Sequence, residues 1–181
     1  MRKVLTRAFF DRSAERVARE LLGMYLVRRI GTREEAFRII ETEAYVGPHD
    51  LACHAAKGLT KRTEVMFGPA GRFYVYFVYG MHWMLNIVTE REGYPAAVLI
   101  RGIEGAIGPG RLTKRLAITG VFNGAKAVRE SGLWFEDRGT APSPRTIRKT
   151  PRIGVAYAGK KWARKKLRFV LVAPASQTSR R

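Results

Sequence analysis

The sequence predicts an α+β fold, a single mixed domain of strands and helices without a βαβ rhythm. Three observations carry that prediction. Apolar runs of strand length, rich in β-branched and aromatic residues, recur at "RFYVYFVYG" (72–80), "MHWMLNIVT" (81–89) and "AAVLIRGI" (96–103). Helical patterns are few and do not separate these runs. The chain has 181 residues and is 46% hydrophobic, which is enough for one real core.

The elements follow in order. Asp11 or Ser13 is placed to cap a helix through about Leu22; Phe10, Val17, Leu21 and Leu22 give its apolar stripe, and Gly23 stops it. "MYLVRR" reads as a strand, and "GTREE" as a turn into the strand "AFRIIETEAY", a hairpin together. Residues 46–71 read as loop with short helical pieces, broken at Gly47-Pro48 and Gly68-Pro69. The long apolar runs after them suit a sheet buried on both faces. "GPGRLTKRLAI" starts a helix at a Gly-Pro-Gly turn, one whose N-terminus suits a phosphate. From about Arg138 the pattern is short strands and loops. Residues 1–176 are assigned to the domain and 177–181 to a frayed tail.

Charge narrows the partner. Lys and Arg number 34 against 15 Asp and Glu, a formal charge of +19 and a pI near 10.9. Self-repulsion of this size opposes compaction unless a polyanion is bound, and nucleic acid fits better than an acidic membrane surface. Residues 138–181 hold thirteen Lys and Arg and no acid, and "KKWARKKLR" packs six of them around Trp162. A solvated face is the ordinary meaning of such a run; without balancing acids, a phosphate-facing role is the better reading. One cysteine, Cys53, rules out an internal disulfide framework. No apolar run approaches the roughly 20 residues of a bilayer span, and the N-terminus lacks a signal peptide's apolar region. A cytoplasmic protein without translocation is expected.

Several chemistries drop out. His49, His54 and His82 form no metal-ligand pair with Cys53, so no metal is expected. No phosphate-loop pattern is present. What remains is an odd stretch, "RIIETEAYVG" (38–47). Its Glu41 and Glu43 would share one face of a strand beside Tyr45, in a chain otherwise poor in acid. A salt-bridged carboxylate and a catalytic one are both open for each. Tyr74 and Tyr76 share a strand face, with Tyr79 at the strand end; they either pack a core or stack bases. Asn86 is a polar residue in the apolar run "WMLNIV" and needs buried partners or a base edge.

These stretches also carry a resemblance. "RIIETEAYVGPHDLACH", "RTEVMFGPAGRFYVYFVYGMHWMLNIV", "AVLIRGIE", "GPGRLTKRLAI" and "RIGVAYAG…WARKKLRF" follow one another in the order and spacing of the alkyladenine (3-methylpurine) DNA glycosylase family. The resemblance spans nearly the whole chain. It implies one mixed α/β domain around a curved antiparallel sheet with flanking helices, acting as a monomer on damaged double-stranded DNA without metal or organic cofactor. The implied activity is base-excision repair: alkylated purines are flipped out, and the N-glycosidic bond is hydrolysed by a water that Glu43 activates. An abasic site is left uncut, because the pocket blocks hold no lysine for a lyase step. 3-Methyladenine and 7-methylguanine are the implied lesion class; hypoxanthine and ethenoadenine are left open.

Residue by residue, the resemblance assigns Tyr45, His54 and Tyr76 to the base pocket. Tyr79 matches a tyrosine that wedges into the duplex, and Asn86 an asparagine that excludes guanine. Arg101 matches an arginine near the water, and Ile153 a position whose carbonyl helps hold it. Arg62, Met66, Met81 and Arg111 fall where the family touches DNA. Glu41 is left structural. Ala55 and Lys61 depart from the family's usual serine and proline and blur the lesion range. The rival reading is a non-catalytic basic protein that binds RNA or DNA; it accounts for the charge and the aromatics, but not for a lone "ETEAY".

Overall fold

A computed structural model describes residues 2–172. Ten strands and five helices alternate irregularly: β1 (Lys3–Val4), α1 (Arg7–Phe10), α2 (Ala14–Glu20), β2 (Tyr25–Ile30), β3 (Arg33–Tyr45), α3 (Glu64–Phe67), β4 (Phe73–Val78), β5 (His82–Thr89), β6 (Ala96–Ile103), β7 (Ala106–Ile107), α4 (Pro109–Arg115), β8 (Leu133–Asp137), β9 (Ile147–Thr150), α5 (Gly159–Ala163) and β10 (Arg168–Leu171). Every strand pair is antiparallel, in the order β1-β8-β2-β3-β6-β5-β4, with β10 pairing both β3 and β9 and β7 flanking β6. This is the α+β architecture that the strand pattern predicts, built around one large antiparallel sheet.

The thirteen-residue β3 organises it. Its first half pairs β2 from Ile30↔Arg33 to Tyr25↔Arg38; its second half lies between β6 and β10. Register shifts on both sides of Glu41 mark a bulge against β6, and a bulge bends its strand. Beyond it Thr42 points back to the core, where its Oγ1 donates to the Ala18 carbonyl of α2 at 2.7 Å. Glu41 and Glu43 take the other face. Behind the sheet, Phe10, Phe73, Phe135, Phe169, Leu21 and Ile39 are buried in one cluster. Each such side chain contributes about 1.5–3 kcal/mol by leaving water.

The sequence pattern needs several corrections. The first predicted helix is α2, which starts after Ser13 and ends at Glu20, short of Leu22; the four-residue α1 ahead of it was not expected. Ser13 precedes α2, but its side chain makes no capping bond. The turn is only Gly31–Thr32; Arg33, Glu34 and Glu35 already pair with β2. β4 ends at Val78 and β5 begins at His82, so Tyr79, Gly80 and Met81 form the connection. β6 is buried along nearly its whole length as predicted, whereas Phe77 of β4 is 46% exposed. The tail at 177–181 lies outside the described residues. Among the described residues, no helix is long and apolar enough to cross a membrane.

Candidate active site

β3, β6 and the segment before α5 meet at two carboxylates. Glu43 is fully buried. Its Oε1 accepts the Ile153 N–H at 2.8 Å, and its Oε2 accepts the Tyr45 hydroxyl at 3.0 Å. Arg101 Nη1 lies 3.5 Å from Oε1. Burial pushes the Glu43 carboxyl above the usual carboxylate range, against the opposing pull of Arg101 and the Ile153 N–H. Glu41 has more cationic company: Arg101 Nε donates to it at 2.9 Å, and Arg168 pairs with it at 3.0 Å. Arg101 therefore touches both glutamates, as expected of side chains on one strand face.

Next to Glu43 stands an aromatic slot, lined by Tyr45, His54, Tyr74, Tyr76, Asn86 and Tyr157 with Ala52, Cys53, Met66 and Ala97 beneath. The slot is narrow, with a volume of about 30 Å³, and it opens to solvent. The walls are ordered by ring contacts. His54 meets Tyr76 edge-on at 4.6 Å, and Tyr74 and Tyr76 lie 5.1 Å apart. His54 Nδ1 is 2.9 Å from the Tyr74 hydroxyl. Burial, with the Arg62 and Lys57 cations adding, holds the His54 imidazole down at about 4, so it is neutral at physiological pH. Burial also keeps the Tyr45 and Tyr76 phenols above their ordinary range, lifts the Tyr74 phenol to about 12 and lifts the Cys53 thiol to about 11. Every hydroxyl here is a neutral donor, and Cys53 is an unreactive wall. Asn86 Nδ2 donates to the Tyr74 carbonyl at 3.0 Å, fixing the amide at the slot. A wider groove of about 740 Å³ between α2 and residues 141–149 has no aromatic stack, so the smaller slot is the candidate site.

The structure brings most of the predicted residues together. Glu43, Arg101, Tyr45, His54, Tyr76 and Asn86 converge. Ile153 joins them through its N–H; its apolar side chain is half exposed. Arg62 is exposed and its guanidinium sits 5.0 Å over the Tyr76 ring, at the slot. Met66, expected where the family touches DNA, is 2% exposed and lines the slot from α3. Tyr79 and Met81 stand out at the β4–β5 tip, 85% and 66% exposed. Tyr79 takes a left-handed backbone, φ +53°, followed by Gly80 at +65°. Arg111 is exposed on α4, whose Gly110 packs against His82 at the base of the same tip.

The basic C-terminal segment is also corrected. Arg138 pairs with Glu136, Lys149 with Glu15, Arg152 with Asp50 and Arg168 with Glu41. Trp162 is buried under Lys165. The cations left facing solvent without an acid among the described residues include Arg145, Arg148, Lys160, Lys161, Arg164, Lys165 and Lys166.

Three residues escape the sequence reading. Arg152 and Asp50 form a fully buried pair, and Tyr157 lines the slot with its hydroxyl donating to the Ala52 carbonyl at 2.9 Å. A lone acid in "PHDLACH" and a basic residue in "PRIGV", 102 positions apart, carry no local signal of pairing.

Comparison with known proteins gives the chain's relatives. A family model described as methylpurine-DNA glycosylase (MPG) matches residues 8–107 and 104–174. A Legionella pneumophila (strain Paris) protein named "Putative 3-methyladenine DNA glycosylase" is 49% identical over 178 residues, covering 94% of this chain and 95% of its own. Proteins of the same name from Methanocella arvoryzae and Myxococcus xanthus are 48% and 49% identical, covering 86% and 91% of this chain and 86% and 88% of their own.

Proposed function

Because the chain belongs to the methylpurine-DNA glycosylase family, a family of base-excision repair enzymes whose substrate is DNA, we propose that it excises alkylated purines from duplex DNA by base flipping and direct hydrolysis. The observation that supports this most is Glu43. It is a fully buried carboxylate, held by two neutral donors and one guanidinium, at the edge of an aromatic slot.

A base in duplex shields its sugar carbon, so the nucleotide must leave the stack, at a cost of a few kcal/mol that is least for damaged bases. Tyr79, exposed at the hairpin tip, fills the vacated place. The flipped purine stacks between Tyr45 and the Tyr76–His54 wall, with Met66 beneath and Asn86 at its edge. An electron-poor alkylated ring gains from tyrosine faces. Scission builds positive charge on the sugar, which an ionised Glu43 stabilises as it takes the water's proton. Arg101 holds the two glutamates and lies near the same water. Water is the nucleophile, so the product is an abasic site with an intact backbone, and one protein molecule acts alone. 3-Methyladenine and 7-methylguanine are the substrates of this reading; hypoxanthine and ethenoadenine test the width of the slot.

The test is release of free base from methylated duplex, with Glu43→Gln as the control. Excision by the wild type and none by the variant, both binding the lesion duplex within a few-fold of each other, supports the assignment. Near wild-type single-turnover excision by the variant sinks the role of Glu43. No base release by the wild type sinks the activity and favours a non-catalytic binding protein.

A further inference from the structure

We propose that the buried Arg152–Asp50 pair is a positioning device: it fixes the Tyr45 platform and holds the Ile153 N–H on Glu43, so that slot and water site are assembled before DNA arrives. The inference rests on the excision reading above and extends it to two residues that touch neither base nor water.

Both side chains of the pair are completely buried. Arg152 Nη1 and Nη2 fork onto the two Asp50 oxygens, and Nη1 also donates to the Ala44 carbonyl at 2.9 Å. Asp50 in turn accepts the Val46 and Ala52 N–H groups, at 3.2 and 3.0 Å. One pair thus ties the end of β3, the loop at 46–52 and the segment before α5. The guanidinium also lies 4.7 Å over the Tyr45 ring, so one face of that ring is occupied and the other is left for a base. Ile153 follows Arg152 directly, and its N–H is the shortest hydrogen bond that Glu43 makes.

A stability role alone is a weak account of this arrangement. Buried ion pairs are often replaceable by apolar residues without loss. This one converges on the two groups that the reaction uses. The charges facing Glu43 are Arg101 from β6, with Glu41 of β3 and Arg168 of β10 behind it, and Arg152 from the segment before α5. Tyr45 of β3 donates to it, and Tyr76 of β4 lies nearby. Losing the pair takes away the Arg152 cation together with the Asp50 anion bound to it, so those two effects oppose each other; the loosened Ile153 donor is what makes Glu43 harder to ionise.

The experiment uses the full chain and two variants. Arg152→Gln alone would strand Asp50, so it is combined with Asp50→Asn; Arg152→Lys keeps the charge but loses the fork. Single-turnover release of 7-methylguanine is followed across pH, per folded molecule. The Ile153 amide resonance is titrated in parallel, since it reports the Glu43 hydrogen bond with or without activity. Expected for the double variant are a rate at least tenfold lower, an acid limb moved up by roughly half a pH unit or more, and an Ile153 resonance that no longer follows Glu43. Arg152→Lys should recover part of the rate. An unchanged rate, acid limb and Ile153 titration in the folded double variant would overturn the proposal. If the wild type releases no base, the excision reading fails by itself. The amide titration then decides the positioning claim, being lost in the double variant if the pair holds the Ile153 N–H and kept if it does not.

Discussion

Replacing Tyr79 by glycine separates two meanings of an exposed tyrosine. The ring is 85% exposed, so its removal takes no side chain from the core. Its backbone sits at φ +53°, where a side chain is strained by about 1 kcal/mol and glycine is not. Glycine also loosens the unfolded chain, which offsets part of that relief. Tyr79→Gly should therefore leave stability unchanged or raise it by up to about 1 kcal/mol, some 2–4 °C at this size. Binding should move the other way. A ring that fills a vacated stack is worth ~1–3 kcal/mol, so affinity for a lesion duplex falls roughly 5- to 150-fold. The assay is fluorescence anisotropy in a Glu43→Gln background, which keeps the lesion intact, alongside thermal melting. A duplex with a gap opposite the lesion should show a smaller loss, because less restacking pulls the base back. A melting temperature lowered by several degrees with unchanged affinity would refute the reasoning. Tyr79 would then be packing, and Met81, 66% exposed on the same tip, would be the next wedge to test.

Three other outcomes are expected. Glu43→Gln should abolish excision, by at least about 10²–10⁴-fold, and stabilise the fold. Burial raises the native pKa of Glu43, so the native state holds that proton more tightly than the unfolded chain, and stability falls as pH rises from the ordinary carboxylate value through the raised one. A melting temperature at pH 7.5 that drops in the variant would contradict this. His54 has the opposite sign of dependence. Its pKa falls from the ordinary 6.5 to about 4, so its contribution is full above about pH 6.5 and is lost as pH falls toward 4. After allowance for its partial exposure this amounts to about 1–2 kcal/mol, and His54→Gln should flatten the stability profile across that window. Binding to undamaged duplex should weaken steeply with salt, with a log–log slope near −0.9 per phosphate neutralised, about −4 to −5 for five contacts. Removing Lys160 and Lys161 should make the slope shallower, whereas removing Arg138 or Lys149, which are tied to acids, should not.

What was legible in the sequence is what periodicity and local breakers encode. β4, β5 and β6 announce themselves as apolar runs, and "ETEAY" shows two carboxylates on one face because strand alternation is a local rule. The short strands were legible only in part: β9 and β10 fall where short strands and loops are expected after Arg138, but without bounds, and β1 was not expected at all. β1 and β9 are two and four residues long and exist only because β8 and β10 accept them; their residues carry no period. β8 lies in a stretch where "LWFED" has too few residues to distinguish strand from turn. The charge count misled for a related reason. It registers thirteen cations after residue 137 but cannot see that four of them find acids elsewhere in the chain. The motif likewise does not show that Met66 is buried. Its position in the motif resembles a DNA contact, while α3 turns its side chain beneath the slot.

The two glutamates of β3 argue a division of labour from their surroundings. Glu41 lies within salt-bridge reach of two guanidinium groups, one from β6 and one from β10, and so joins two strands across the bulge. Glu43 lies two residues further in, with its closest contacts a phenol and a backbone N–H. Neutral donors hold the Glu43 carboxylate without a close counter-ion, and burial raises its proton affinity. Arg101 spans both, with Nε on Glu41 and Nη1 at 3.5 Å from Glu43. Glu41 thereby takes up the fork's closer contact and leaves Glu43 the looser one. Removing Glu41 would free Arg101 to close on Glu43 and lower its basicity. Glu41→Gln should thus shift the acid limb of excision to lower pH while slowing the step above it. A Glu41 serving the fold alone would cost stability and leave that limb in place.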